Sequence, residues 1–192
     1  MEFRQAVETF KQVMNGFEGA WCVAGGWALD FYLNQQTRTH EDLEIIVLRE
    51  DYQAIYQHFK NRNPQYIIKE ADKEPEFFPW KGGPFPEETI QLRIDPVSGV
   101  EFDLLLTPSE NGMWICRRDE SIRLPLGDVA VMTKSGLPAL APEIVLFFKA
   151  KGYREKDIKD FEKFYPVLTP QQKSWFQYGL KKTIPGHKWL VD

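Results

Sequence analysis

Two carboxylates spaced two residues apart, Asp42 and Glu44, stand at the mouth of the short apolar run Leu43–Leu48, LEIIVL. The run is β-branched, apolar and of strand length, and it reads as a buried strand. Side chains alternate across a strand, which puts Asp42 and Glu44 on one side with Cα atoms roughly 6–7 Å apart. Carboxylates held that close repel each other unless a cation lies between them. A hard divalent ion such as Mg²⁺ takes oxygen ligands and keeps positions open for phosphate, so the pair has the chemistry of a metal seat. Two solvated acids ahead of a buried strand would share the pattern. Upstream, Gly25-Gly26 follows the apolar run Trp21–Ala24 and precedes Trp27–Leu33, where Ala28, Leu29, Tyr32 and Leu33 recur at helical spacing. Glycines there let a backbone approach a ligand, and the helix N-terminus offers unpaired N–H groups and a positive dipole end, which together suit phosphate. A glycine pair alone serves a tight turn as often. The succession of glycine pair, helix, polar turn and spaced acids is more specific, because one end suits a triphosphate and the other the metal bound to it.

A third acid interrupts a later apolar segment, Val100–Leu106 (VEFDLLL). An unpaired charge inside such a strand is costly, so Asp103 needs a cation, a donor or a shared proton. Glu101 lies on the same face but nearer the preceding turn. His40, His58 and His187 are too scattered for a zinc cluster, and His40 reads as a residue that orients a site carboxylate or a backbone turn. No G-x-S-x-G or G-x-x-x-x-G-K-[ST] pattern occurs.

The stretch GGWALD…TRTHEDLE (residues 25–44) resembles the signature of the nucleotidyltransferase, polymerase-β-like superfamily: a GG or GS pair followed by a strand bearing D-x-D/E. Trp27, Asp30, Thr37-Arg38 and His40-Glu41-Asp42 are most similar to the branch containing aminoglycoside and lincosamide nucleotidyltransferases. The resemblance is strong over residues 21–48 and runs more loosely through 100–106, WICRRD (114–119) and 141–161. It implies an α+β fold, a nucleotidyltransferase-type mixed β-sheet flanked by helices with a C-terminal helical portion. The implied activity is transfer of a nucleoside monophosphate from a nucleoside triphosphate, ATP foremost, to a hydroxyl of a small molecule with Mg²⁺. Asp42 and Glu44 would bind the metal, and Asp103 matches the superfamily's third carboxylate, as metal ligand or base. Gly25 and Gly26 would cradle phosphate, with Arg38 or Lys149 offsetting its charge. One departure is Glu44, where the resistance enzymes often carry Asp; its longer stem changes ligand reach. A relative that binds a nucleotide or partner protein without transfer is the alternative.

The elements that position these residues are legible from periodicity. Phe3–Met14 reads as an amphipathic helix, Trp21–Ala24 as the first strand, residues 51–59 as a helix, and 65–70 and 90–94 as strands. Residues 95–99 read as a turn, which makes a hairpin of the strands around them. Glu74–Glu88 holds four prolines, two adjacent glycines and four aromatics; it is expected to exclude regular structure, its Phe77, Phe78, Trp80 and Phe85 either packing on the core or walling an acceptor pocket. A C-terminal helix should start near Pro142, with Lys149 and Lys151 at its end. Arg154–Asp160 reads as a solvated turn and helix start, unless Asp157 holds a basic site residue. Residues 171–180 read as a further helix. The expected division is an α+β core over 1–137 and a helical portion over 138–192 packed on it, within one continuous domain at the limit.

Composition agrees with a folded globule: 43% hydrophobic and 14% aromatic over 192 residues. A net charge of −4 disfavours a polyanion-binding surface and so a nucleic-acid partner, while leaving room for a local basic pocket. No signal-peptide pattern or membrane-length apolar run is evident, and Cys22 and Cys116 sit in apolar settings that suit buried thiols; a cytoplasmic location is the expectation.

Overall fold

A computed structural model describes residues 1–68 and 74–190. In chain order the elements are α1 (Phe3–Met14), β1 (Trp21–Val23), α2 (Gly25–Leu33), β2 (Asp42–Leu48), α3 (Tyr52–Phe59), β3 (Gln65–Ile68), β4 (Glu76–Pro79), β5 (Gln91–Val97) and β6 (Val100–Thr107). Then come β7 (Ser109–Glu110), β8 (Met113–Ile115), β9 (Arg123–Pro125), α4 (Leu126–Val129), β10 (Ala130–Met132), β11 (Pro138–Leu140), α5 (Pro142–Gly152), α6 (Glu155–Phe164) and α7 (Pro170–Thr183).

Among the described residues, eight strands form one mixed sheet in the order β10-β11-β1-β2-β6-β5-β3-β4. The pairs β1–β11 and β2–β6 are parallel and the others antiparallel. β2 and β6 lie at the centre, which explains their near-continuous apolar sequences: beyond Glu44, β2 is buried at every position. A separate small sheet joins β7, β8 and β9. The fold is thus α+β, a mixed sheet flanked by helices.

Helix α1 buries Ala6, Val7, Phe10, Val13 and Met14, and Phe10 meets Phe31 of α2 edge-on with ring centroids 5.7 Å apart. Helix α5 opens with Pro142 in its first turn, buries Ile144–Phe147 and Ala150, and packs against α2, α6 and α7. Thr169 begins α7 with a capping box: its hydroxyl accepts from Gln172 N (3.3 Å), and Gln172 Oε1 accepts from Thr169 N (2.9 Å).

Two readings of the sequence need correction. Residues 76–79 form strand β4 on the sheet edge beside β3, despite the surrounding prolines; Pro79 closes it, where a missing N–H is tolerated. The segment 154–160 is not solvated throughout, since Asp157 and Asp160 are buried at 0% and 4% exposure. The strand expected over 65–70 ends at Ile68, and Lys69 and Glu70 lie outside the described residues. Strand β11, just beyond the expected division at residue 137, pairs inside the central sheet between β10 and β1. Cys22 and Cys116 are buried free thiols, and burial pushes Cys22 up to about 12. No described helix is long and apolar enough to cross a membrane.

Candidate active site

Strand β1 hands the chain directly to the glycine turn. Ala24 N donates to Glu44 O (2.8 Å), so Gly25 starts α2 alongside Glu44. Gly25 has φ +60°, in the left-handed region, and a Cβ there would collide with Glu44 Oε2. A side chain on Gly26 would collide with His40 Nδ1 and, at 2.6 Å, with Arg38 Nη2. Both glycines are therefore required by a close approach of backbone to the acids and bases of the site.

The polar turn after α2 is pinned by a buried aspartate. Asp30 Oδ1 accepts from the Thr37 hydroxyl (2.6 Å), and Asp30 Oδ2 bonds His40 Nε2 (2.6 Å). His40 also packs on Trp27, ring centroids 4.4 Å apart, and lies beneath Gly26. The motif residues Trp27, Asp30, Thr37 and His40 thus form the support on which Gly26 and Arg38 stand. Of the two roles expected for His40, the structure gives the backbone turn.

Register places the acids in two rows across the central strands. Asp42 of β2 faces Glu101 of β6, and Glu44 faces Asp103. On the other side of β6, Asp103 faces Arg93 of β5. Asp42, Glu44 and Asp103 line one cavity of about 260 Å³ with Gly26, Gln91 and five basic side chains: Arg38, Arg93, Lys149, Arg154 and Lys156. Glu44, Lys149 and Arg154 also line an adjoining cavity of about 220 Å³, whose other walls include Gly25, Ile46, Leu105, Val145 and Phe148, with Arg117 among its lining residues. In a chain with a net charge of −4, five basic side chains gather here, each paired with a carboxylate.

The sequence-expected residues Gly25, Gly26, Arg38, Asp42, Glu44, Asp103 and Lys149 are all brought together, but not equally available. Among the described residues, the Asp42 carboxylate makes no hydrogen bond or ion pair. Asp103 is 3% exposed, and both its oxygens are taken by Arg93: Nε donates to Oδ1 (2.7 Å) and Nη2 to Oδ2 (2.9 Å). Arg93 Nη2 also reaches Glu101 Oε2 at 2.9 Å. The Asp103 hydrogen bonds, assisted by the charges of Asp103, Glu101 and Asp42, hold the Arg93 proton more tightly than usual against its partial burial. The three acids therefore share a cavity without forming a three-carboxylate metal cluster, and no group of three or more His, Cys, Asp or Glu stands in metal-holding arrangement among the described residues.

Three of the basic residues, Arg38, Lys149 and Arg154, are held by carboxylates of α6. Lys149 Nζ lies 3.1 Å from Asp157 Oδ1 and 2.9 Å from Asp160 Oδ2, while Arg38 makes a two-pronged contact to Asp160 (3.2 and 3.1 Å). Asp157 also accepts from Arg154 Nε (2.8 Å) and from the Arg154 backbone N–H (3.2 Å). Burial alone would push Asp157 up, but the Arg154 hydrogen bonds and the Lys149 charge outweigh it and hold the carboxyl below its ordinary range. Asp157 thus pairs with two basic residues that line the cavity, Lys149 and Arg154.

Sequence reasoning missed Arg93, Arg154, Lys156 and Asp160. Arg93 was only partly within reach: the turn expected at residues 95–99 would set it opposite Glu101, whereas the chain turns between Val97 and Val100 and a register shift between Ile94 and Val97 brings it opposite Asp103. Asp160 carries no such local signal, because its partners Lys149 and Arg38 come from α5 and the turn after α2, whereas Arg154 pairs locally with Asp157. Of the aromatic segment, Trp80 and Phe85 are buried and stacked on each other (4.5 Å), and Phe78 stacks on Tyr66 (5.3 Å). Phe77 alone among these four aromatics reaches toward the site, with Arg93 5.5 Å from its ring centroid.

The family model for aminoglycoside-2''-adenylyltransferase matches residues 6–76, the part of the chain that holds the glycine turn and the β2 acids. The structure is similar to the solution structure of the antibiotic-resistance factor ANT(2'')-Ia, with a TM-score of 0.61 and 11% identity over 95% of this chain and 94% of that one. It is similar to ANT(2'')-Ia in complex with adenylyl-2''-tobramycin (0.58, 11%, 93% and 98%). It also resembles the lincomycin-bound lincosamide antibiotic adenylyltransferase LnuA (0.57, 14%, 85% and 97%). No curated protein sequence matches the chain significantly. The chain has the nucleotidyltransferase fold and resembles the aminoglycoside and lincosamide branch of that superfamily.

Proposed function

We propose that this protein is a metal-dependent nucleotidyltransferase that moves the nucleoside monophosphate of a nucleoside triphosphate, ATP foremost, to a hydroxyl of a small molecule of the aminoglycoside or lincosamide class. The observation that carries the reading is the cavity where the glycine turn opening α2, the β2 acids Asp42 and Glu44, and the bases Arg38, Lys149 and Arg154 converge. The donor set suits Mg²⁺: carboxylate oxygens on one strand face, with room beside them for phosphate oxygens and water. When bound, the ion would neutralise the triphosphate and polarise the phosphorus under attack.

The chain's own residues do the rest. The N-terminal N–H groups of α2, bared by Gly25 and Gly26, bind phosphate oxygens, and Arg38 and Lys149 offset their charge. Their anchors on Asp157 and Asp160 fix these bases before substrate arrives, so little reorganisation is needed during reaction. The acceptor hydroxyl oxygen forms a bond to the α-phosphorus, the bond to the β-phosphate breaks, pyrophosphate leaves, and the hydroxyl proton passes to a carboxylate of the cavity. The adjoining cavity, apolar on the side of Val145 and Phe148, offers contact area for a ring of either substrate. One observation favours a second reading, a nucleotide-binding relative without transfer: Asp103, matched to the third carboxylate, is engaged by Arg93.

Calorimetry with Mg²⁺–ATP tests the binding half. Wild type should bind, and Asp42→Asn should bind roughly tenfold more weakly or worse, a loss of about 1.4 kcal/mol. Equal affinity in both proteins, with and without Mg²⁺, would remove Asp42 from the metal site.

A further inference from the structure

The arginine opposite Asp103 bears on how many metal ions the site takes. Asp103 is flanked in register by Glu44 on β2 and Arg93 on β5, with neighbouring strands about 4.8 Å apart. Arg93 does more than pair with one acid. Its planar fork covers both Asp103 oxygens and touches Glu101, so it collects the two β6 acids as a cation placed between them would. It is also within electrostatic reach of Asp42. A guanidinium does not give up its proton in a protein, so this positive charge is permanent. For a divalent ion to bind Asp103, it would have to displace two charge-assisted hydrogen bonds and leave the freed guanidinium beside a double positive charge in the same cavity. On β2, Asp42 carries no such block: its carboxylate makes no hydrogen bond or ion pair among the described residues.

Resting on the nucleotidyltransferase reading above, we propose that Arg93 stands in for a second divalent ion. The site takes one ion, on Asp42 and Glu44, and Asp103 stays on Arg93 while the nucleotide is bound. Arg93 then acts as a positioning residue for the β6 acids and supplies fixed positive charge to the phosphate side of the cavity.

The test is crystallographic and needs no turnover. Crystals of the full chain are grown with Mn²⁺ and α,β-methylene-ATP, and anomalous scattering is measured at the manganese edge. The expected result is one peak at Asp42 and Glu44, with Arg93 still on Asp103. A second peak on Asp103 with Arg93 displaced overturns this inference and leaves the proposed function intact. Nucleotide bound with no peak at Asp42, or no nucleotide in the cavity, overturns the proposed function and this inference together. Arg93→Met, treated identically, should gain the second peak; a single peak in that variant would show that Arg93 is not what excludes the ion.

Discussion

Asp103→Asn separates structural from chemical roles at the centre of the sheet. The wild-type carboxylate is 5% exposed at its side chain and accepts two hydrogen bonds from an Arg93 side chain that is 25% exposed. Breaking a buried ion pair by removing one partner costs about 3–5 kcal/mol. Asparagine keeps one acceptor oxygen for one of the two N–H groups, and the half-exposed Glu101 remains on Arg93, so the expected loss is about 2–3 kcal/mol. For a chain of this size, about 2–4 °C per kcal/mol makes that a fall in Tm of roughly 4–12 °C. The assay is thermal or urea unfolding of wild type, Asp103→Asn, Arg93→Met and the double variant. Because both residues belong to one pair, the double variant should be less destabilised than the sum of the singles by about 1.5 kcal/mol or more. A loss below about 0.5 kcal/mol for Asp103→Asn, or strictly additive effects, would refute the pairing argument.

Two further outcomes follow from the same geometry. Gly25→Ala places a β-carbon at φ +60° against Glu44, so it should lower stability by about 1–2 kcal/mol and also abolish Mg²⁺–ATP binding measured by calorimetry; binding at wild-type affinity would show that Glu44 moves aside freely. Asp157 is held below its ordinary range, so its contribution is complete above the unfolded value, about 3.9, and is lost as pH falls through the lower folded value. The stability gap between wild type and Asp157→Asn should therefore be about 3 kcal/mol at pH 7 and shrink below about pH 4 in urea titrations, whereas a constant gap down to pH 3 would mean that the charge is not what matters.

The parts of this fold that were legible in the sequence are those governed by local rules. The apolar period of Phe3–Met14 places α1 at the expected residues, and β2, β6 and the glycine-led α2 follow from short apolar runs and their punctuation. What escaped is non-local pairing. Residues 154–160 are rich in charge, which reads as solvated, yet Asp157 and Asp160 are buried because Lys149 and Arg38 arrive from other elements to neutralise them. Strand β4 escaped because its prolines advertise a loop, while β3 supplies hydrogen bonds that local propensity does not include. The site shows the same division: the glycines and the spaced acids announce themselves, while Arg93 becomes visible only through cross-strand register.

The measurement that tests the account most directly is transfer itself. The purified protein is incubated with Mg²⁺ and ATP labelled at the α-phosphate, against hydroxyl-bearing aminoglycosides and lincosamides that include tobramycin and lincomycin, beside Asp42→Asn. The account predicts label on an acceptor with release of pyrophosphate, falling to background in Asp42→Asn. Firm Mg²⁺–ATP binding with no label moved to any acceptor, or equal product from Asp42→Asn, would contradict it.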